Sequence, residues 1–384
     1  ARCTVEEGYR AEEDALADLL PGPQAQASIY AFDLVERRAK KGVGIPQVEP
    51  RRIEKVGIVG GGLMARQLAT LFLKRLEVPV VLRDLERSIV DEAVAEVAAG
   101  QRKPHLARLV SGSTDDAVFA GCDLVLEAVY EELSVKREVI AEVRRVAPTA
   151  IVATNTSSLS VAAMGADVGL HFFNPVAVLP LVEIVATPST DPVTLATAWD
   201  VVKRLRKRGV LVHDAPAFVV NRVLTRMTTV LMDALENGNT VEETDEAILR
   251  LGLPMAPSVL LQMVGPRVAN HVLHTLHEAY PDRFPLSPTL DNFAAGIEEI
   301  VVRGGGRRSV DEIQEAALEA VADEIRHLLD EGVVADAADV DTCLILGAGY
   351  PFFLGGITKH LDDRGISERV TGSRFDAAAA ATAA

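Results

Sequence analysis

The sequence predicts a doubly wound α/β domain followed by an all-α, internally duplicated region. Three observations carry this. Short β-rich runs alternate with helical segments as far as residue 214, and a glycine-rich turn joins the first run to a helix. After DAPAFVVNR the strand-like runs stop, and amphipathic helices bounded by glycine and proline take over.

The runs are IEKVGIVG, VPVVLRD, ARLVSGST, CDLVLEAV, AIVATNT, GLHFF, LVEIVAT and GVLVHD. Each is short, apolar and rich in β-branched residues, as strands of a covered parallel sheet are. Farther on, ALENGNTVEETDEAILRLGLPMAPSVLL and LLDEGVVADAADVDTCLILGAGYPFFLGG share an order: acidic-Gly, acidic cluster, Asp, apolar helix, Leu-Gly, Pro. Such self-similarity implies a duplicated helical unit, the first copy completing a site through Asn221 and the second packing on it as a structural pseudo-repeat. The expected divisions are a helical lead-in over 1–50, an α/β domain over 51–214, helical units over 215–305 and 306–376, and a low-complexity tail over 377–384.

In RRIEKVGIVGGGLMARQLATLF, Gly60, Gly62 and Ala65 fit G-x-G-x-x-G/A at the junction of a strand and a helix. The first glycine makes the tight turn, the second lets backbone approach a pyrophosphate, and the third small residue lets the helix pack closely. The helix N-terminus then offers free N–H groups to phosphates. This is the fingerprint of a Rossmann-type dinucleotide-binding domain. Asp84 ends the second run about 20 residues on, where a carboxylate accepts from a ribose hydroxyl and repels a 2′-phosphate. NAD is therefore the expected cofactor. Arg83 and Arg87 flank Asp84, so NADP is disfavoured rather than excluded.

The stretch ATNTSSLSVAAMGADVGLHFFNPVAVLPLVEIV sets His171 and Glu183 on successive strand-like segments. An imidazole can accept a proton near neutral pH and return it, and a carboxylate beside it fixes the tautomer and balances the imidazolium. Ser157 and Asn174 add neutral hydrogen-bond donors nearby.

The chain resembles the L-3-hydroxyacyl-CoA dehydrogenase part of the multifunctional fatty-acid β-oxidation proteins. The resemblance rests on VGIVGGGLMA, CDLVLEAVYEELSVK, ATNTSSL, GLHFFNPVAVLPLVEIV, DAPAFVVNR and DEGVVADAADVDTCLILGAGYPFFLGG, in that order between about residues 53 and 375. It implies NAD-dependent oxidation of an L-3-hydroxyacyl-CoA to the 3-ketoacyl-CoA, with His171 as base and Glu183 orienting it. Ser157 and Asn221 are implied to contact substrate, with Asn174 beside them, and Glu131 and Lys136 to line the nicotinamide side. The full set expected at the cofactor is Gly60, Gly62, Leu63, Met64, Asp84, Ala128, Val129, Glu131, Lys136 and Asn155, with no metal. A noncatalytic assembly module and a 3-hydroxybutyryl-CoA dehydrogenase or reductase are the alternatives.

GYRAEEDALADLLPGPQAQASIYAFDLVERRAKKGVGIP is similar to the linker helix that joins an enoyl-CoA hydratase domain to the dehydrogenase in the fused enzymes. The chain is thus expected to be the C-terminal portion of a longer, oligomeric protein, with a hydratase domain in cis and a thiolase subunit in trans. Two segments, ERSIVDEAVAEVAAGQRKPHLARLV and VAAMGADVGLHFF, are shorter than in the family, and the first stands where the family has a helical arm for the CoA part of the substrate. Alanine stands at 65 and 217, where the family often has glycine.

Composition narrows the remaining classes. Across 384 residues, 39 Lys and Arg against 55 Asp and Glu leave a net charge of −16, which disfavours nucleic acid as a partner. The densest basic run is KRLRKRG, with Lys203, Arg204, Arg206, Lys207 and Arg208, and it reads as a solvated helix end. Cys3, Cys122 and Cys343 are scattered and odd in number, which suits a reducing cytoplasm. There is no apolar run long enough for a membrane span. His271, His274 and His277 drift around a helix rather than sharing one face, so they read as a helix flank.

Overall fold

The computed structural model describes residues 4–376; Cys3 and the 377–384 tail lie outside the described residues. The eight strand-like runs all form strands: β1 Val56–Val59, β2 Val80–Arg83, β3 Val110–Ser113, β4 Leu124–Glu127, β5 Ile151–Thr154, β6 Val168–Phe172, β7 Leu181–Ala186 and β8 Arg208–His213. They make one sheet in the order 3-2-1-4-5-6-7-8. The first six are parallel neighbours in the order of a dinucleotide-binding sheet. β7 then pairs antiparallel with β6, and β8 pairs parallel with β7.

Burial explains the composition of these strands. Every residue of β1, β4, β5 and β6 is buried, because both faces of the sheet are covered. One face packs against helices Leu63–Leu76, Arg87–Ala99 and Pro192–Arg204 through Leu68, Phe72, Val97 and Val201. The other face packs against helix Leu133–Val146 and the helical region, in a core that joins Ile140, Val185 and Val212 to Val223, Val321 and Leu344. The two short segments close directly. Helix Arg87–Ala99 reaches β3 through one turn at Leu106–Arg108, and a single helical turn, Val161–Met164, leads into β6.

After β8 every regular element is helical. The helix starts are written in the sequence: Thr240 with Glu243 and Ser309 with Glu312 form reciprocal capping boxes, and Asp336 caps helix Ala337–Ala348. The duplication is visible in side-chain detail. Asp245 of helix Val241–Leu249 accepts from the backbone N–H and the hydroxyl of Ser258. Asp341 of helix Ala337–Ala348 accepts from the same two groups of Thr358. The two units meet reciprocally. A Cβ at Gly252 would stand 2.6 Å from Phe353 Cζ, and one at Gly349 would stand 2.9 Å from Pro254 Cγ. Each unit's Leu-Gly-Pro-like loop therefore rests on the other's, as in an isologous dimer contact.

The lead-in divides in two. Helix Pro23–Asp33 and the turns after it are part of the core: Arg38 is buried, its Nε 3.0 Å from Asp339 and its Nη2 2.7 Å from Asp336. Tyr30 donates to Asp341 at 3.1 Å. Helix Val5–Leu19 buries none of its residues. No helix among the described residues is long and apolar enough to cross a membrane.

Candidate active site

The antiparallel register of β6 and β7 sets His171 directly opposite Glu183. Opposite residues of an antiparallel pair project to the same face with Cβ atoms about 5 Å apart, within reach of a hydrogen bond. His171 Nδ1 lies 2.6 Å from Glu183 Oε2, with 5% of the imidazole and none of the carboxylate side chain exposed. A carboxylate only accepts, so Nδ1 carries the hydrogen and Nε2 of the neutral ring keeps its lone pair. Phe173 and Phe218 flank the ring at centroid distances of 4.3 and 5.6 Å. The second carboxylate oxygen, Oε1, accepts from the backbone N–H groups of Val219 at 3.2 Å and Val220 at 3.0 Å.

Beside the dyad, the loop after β5 is held by Glu131. This carboxylate accepts from Thr156 Oγ1 at 2.6 Å, Ser157 N at 2.8 Å and Ser157 Oγ at 3.2 Å. Burial works to raise the Glu131 carboxyl, but the Lys136 ammonium and the Thr156 and Ser157 hydrogen bonds outweigh it and hold it below the usual range. The Ser157 hydroxyl lies 3.2 Å from the same Glu131 oxygen that receives the Thr156 hydroxyl and the Ser157 and Ser158 N–H groups. Asn221 Nδ2 donates to the Ser157 carbonyl at 3.0 Å, which brings the two expected substrate contacts together. Asn155 Oδ1 accepts from Phe172 N at 2.9 Å, fixing this loop to the residue after His171. Asn174 Oδ1 accepts from Gln67 Nε2 at 3.0 Å, which leaves its amide N–H groups as donors.

Lys136 stands behind this layer. It is buried, and its ammonium is engaged by both Glu127 oxygens, the Val129 carbonyl and Glu131. It therefore orders the carboxylates of Glu127 and Glu131 behind the loop that carries Ser157.

The residues at the cofactor fingerprint fit NAD. Gly60 has φ 113°, and a Cβ there would stand 2.6 Å from the Ala128 carbonyl, so only glycine permits β1 and β4 to approach so closely. A Cβ at Gly62 would meet nothing within 4 Å, which leaves open space where helix Leu63–Leu76 starts with no side-chain cap. Ala65 is fully buried against the sheet. Leu63 is exposed at this mouth and Met64 lies beside it, half-buried. Val129 donates its N–H to Glu127 at 2.6 Å at the end of β4. Asp84 accepts from Gly61 N at 2.7 Å, so the carboxylate sits against the glycine turn. Both flanking arginines are paired elsewhere, Arg83 with Asp116 at 2.9 Å and Arg87 with Asp91 at 2.8 Å. The Arg83 pair is largely buried, whereas the Arg87 pair is exposed on its helix.

Several contributors carry a weak sequence signal or none. Glu127 was signalled by a carboxylate ending an apolar strand, and Gln67 by its place one turn into the helix after the glycine turn. The Val219 and Val220 backbone donors leave no side-chain signal. The basic run is not one patch: Lys207 is buried and bonded to the Val176 and Leu179 carbonyls, bracing the loop after β6. His274 meets Asp291 at 3.0 Å and His277 the Phe284 carbonyl at 2.9 Å.

The chain matches the NAD-binding domain of 3-hydroxyacyl-CoA dehydrogenase over residues 55–215 and the C-terminal domain of the same enzyme over residues 218–296. The first match makes NAD the cofactor. Among solved structures, FadB2 of M. tuberculosis is 31% identical, with 64% of this chain and 95% of that one covered and a TM-score of 0.59. The (S)-3-hydroxybutyryl-CoA dehydrogenase PaaH1 of Ralstonia eutropha is 29% identical, covering 64% and 94% with a TM-score of 0.58. The dehydrogenase part of multifunctional enzyme 1 from C. elegans covers 89% of this chain and 93% of its own at 21% identity and a TM-score of 0.51, a likeness of fold alone.

Proposed function

Because the chain belongs to the 3-hydroxyacyl-CoA dehydrogenase family, we propose that it oxidises an L-3-hydroxyacyl-CoA to the 3-ketoacyl-CoA with His171 as the base. The observation that carries this is the buried contact from His171 Nδ1 to Glu183 Oε2, which leaves Nε2 to take the C3 hydroxyl proton. When bound, the nicotinamide supplies the hydride acceptor. Glu183 balances the imidazolium as it forms. Ser157 and Asn221 orient the reacting oxygen near Nε2, and Glu131 keeps Ser157 in place. In the reverse direction the imidazolium returns the proton, so reduction gains at lower pH.

A buried carboxylate held on an imidazole costs stability, and a mere assembly module would have no use for it. This favours the enzyme reading over the scaffold reading. The pathway we propose is fatty-acid β-oxidation. A short-chain 3-hydroxybutyryl-CoA substrate is the second reading, supported by the name of the R. eutropha relative. Helix Val5–Leu19, with Val5, Tyr9, Leu16 and Leu19 exposed, is the surface we assign to a hydratase domain in cis, with a thiolase subunit as the partner in trans. NADH formation measured with L-3-hydroxyacyl-CoA substrates of several chain lengths tests the activity and ranks the two substrate readings. Absence of NADH formation with every length would refute the proposal.

A further inference from the structure

We propose that the helical region is a positioning partner of the dyad, because the backbone N–H groups of Val219 and Val220 hold the second oxygen of Glu183. The inference rests on the dehydrogenase reading above and concerns how its base is set. Glu183 is fully buried, and a buried carboxylate needs its lone pairs satisfied. The sheet satisfies only one oxygen, through His171. The other is satisfied by Val219, the N-cap of helix Val220–Glu236, and by Val220, its first residue. That 17-residue helix has no cap from its own N-cap side chain. Glu183 reaches across from β7 to do the capping, and the positive end of the helix stabilises its charge.

The turn that aims these donors is built at a conformational cost. Ala217 and Phe218 have φ of 59° and 51°, the left-handed region, and both are fully buried. The same turn touches the other parts of the site. Ala217 N donates to the Ser158 carbonyl at 3.0 Å, tying it to the loop that carries Ser157. Phe218 lies against the imidazole. Its neighbour on the helix, Arg222, is fully buried and anchored to Glu324 and Glu331 at helix Val310–Asp330. The second helical unit therefore fixes the helix whose N-terminus holds Glu183. Displacing the helical region would strip Oε1 of its donors and leave a carboxylate that grips the imidazolium more strongly, so that less of His171 stands in the neutral form that can take the substrate proton at neutral pH. Proton transfer is thereby made conditional on docking of the helical region against the sheet.

The direct test replaces the Val220 amide by an ester, introducing the α-hydroxy analogue of valine, which deletes one N–H and leaves every side chain in place. The full chain is assayed for kcat and KM from acidic to basic pH, with melting temperature recorded alongside. The expected result is a kcat about tenfold lower at neutral pH, the loss of one hydrogen bond to a charged group. KM for the acyl-CoA should stay unchanged, and the acidic limb of the kcat profile should move to higher pH. A lower melting temperature with an unmoved limb, or kcat and limb both unchanged, would overturn the proposal. If the ester protein does not fold, the pair Ala217→Gly and Ala217→Val decides. Glycine accepts the left-handed turn better than a β-branched residue does, so Ala217→Val should show the lower kcat and a limb displaced to higher pH relative to Ala217→Gly. Equal profiles for the two variants would overturn it.

Discussion

His171 and Glu183 face each other across the one antiparallel seam of the sheet, their contact set by strand register and closed at 2.6 Å. A slip of one residue in that seam would turn one partner to the opposite face, so the apolar residues that fix the register of β6 and β7 also fix the chemistry.

Glu183→Gln fills the same space, but its single accepting oxygen can serve the His171 Nδ1–H or the Val219 and Val220 N–H groups and not both, so some loss of melting temperature is expected with the fold retained. Glutamine cannot balance an imidazolium. Turnover should fall by about 10²–10⁴-fold, the range for loss of an orienting carboxylate or a general base. The kcat profile against pH checks this, and a profile superimposable on that of the unchanged protein would remove the dyad from the mechanism.

Asp84→Ala should weaken NAD binding by about tenfold, through loss of a charged acceptor. The gap between NAD and NADP should narrow because the repulsion of a 2′-phosphate also goes. Titration calorimetry with both cofactors reads the outcome. Asp84 also holds Gly61 N, so an equal loss for the two would mean that it only shapes the glycine turn.

Arg38→Met should loosen the lead-in from the second helical unit. The change leaves Asp339 buried without its partner, and breaking such a pair costs about 3 kcal/mol. Thermal unfolding and limited proteolysis over residues 4–50 test this. An unchanged melting temperature would show that Asp339 simply takes up a proton.

The contact between lead-in and second unit should also respond to pH. Burial pushes Asp341 up to about 7, against the hydrogen bonds from Thr358 and Tyr30, and Asp339 up to about 6, against the Arg38 charge. Raised carboxyls favour the folded state while it holds protons that the unfolded chain has released. Their contribution is complete below about pH 4 and is lost as pH rises through about 6 to 7. His360, bonded to Tyr350, is pushed down to about 4 by burial and runs the other way, losing its contribution as pH falls from about 6.5. Comparing melting temperatures of the unchanged protein and Asp341→Asn isolates the carboxyl. The unchanged protein should lose ground to the variant as pH rises from about 4 to about 8, whereas a constant difference would contradict the assignment.

Much of this was legible in the residues. Eight apolar runs became eight strands because buried parallel strands write continuous hydrophobic runs, and the repeated Asp of the helical units reappears as the paired clasps at Asp245 and Asp341. The pairing of His171 with Glu183 could be named from their place on successive segments, although its antiparallel register could not. What stayed hidden was carried by backbone or by burial. The donors of Val219 and Val220 have no side-chain signature, and the pairing of Lys136 with Glu127 becomes visible only once both are buried together. Phe218 looks ordinary in sequence, and the positive φ of Ala217 suits the glycine expected at that position.

The most direct test of the account is the single-turnover rate of NADH formation by His171→Gln with an L-3-hydroxyacyl-CoA, alongside NAD affinity. The account predicts a rate reduced by about 10²–10⁴-fold with NAD affinity preserved, because the imidazole acts on the substrate hydroxyl and not on the cofactor site. A rate equal to that of the unchanged protein would contradict it.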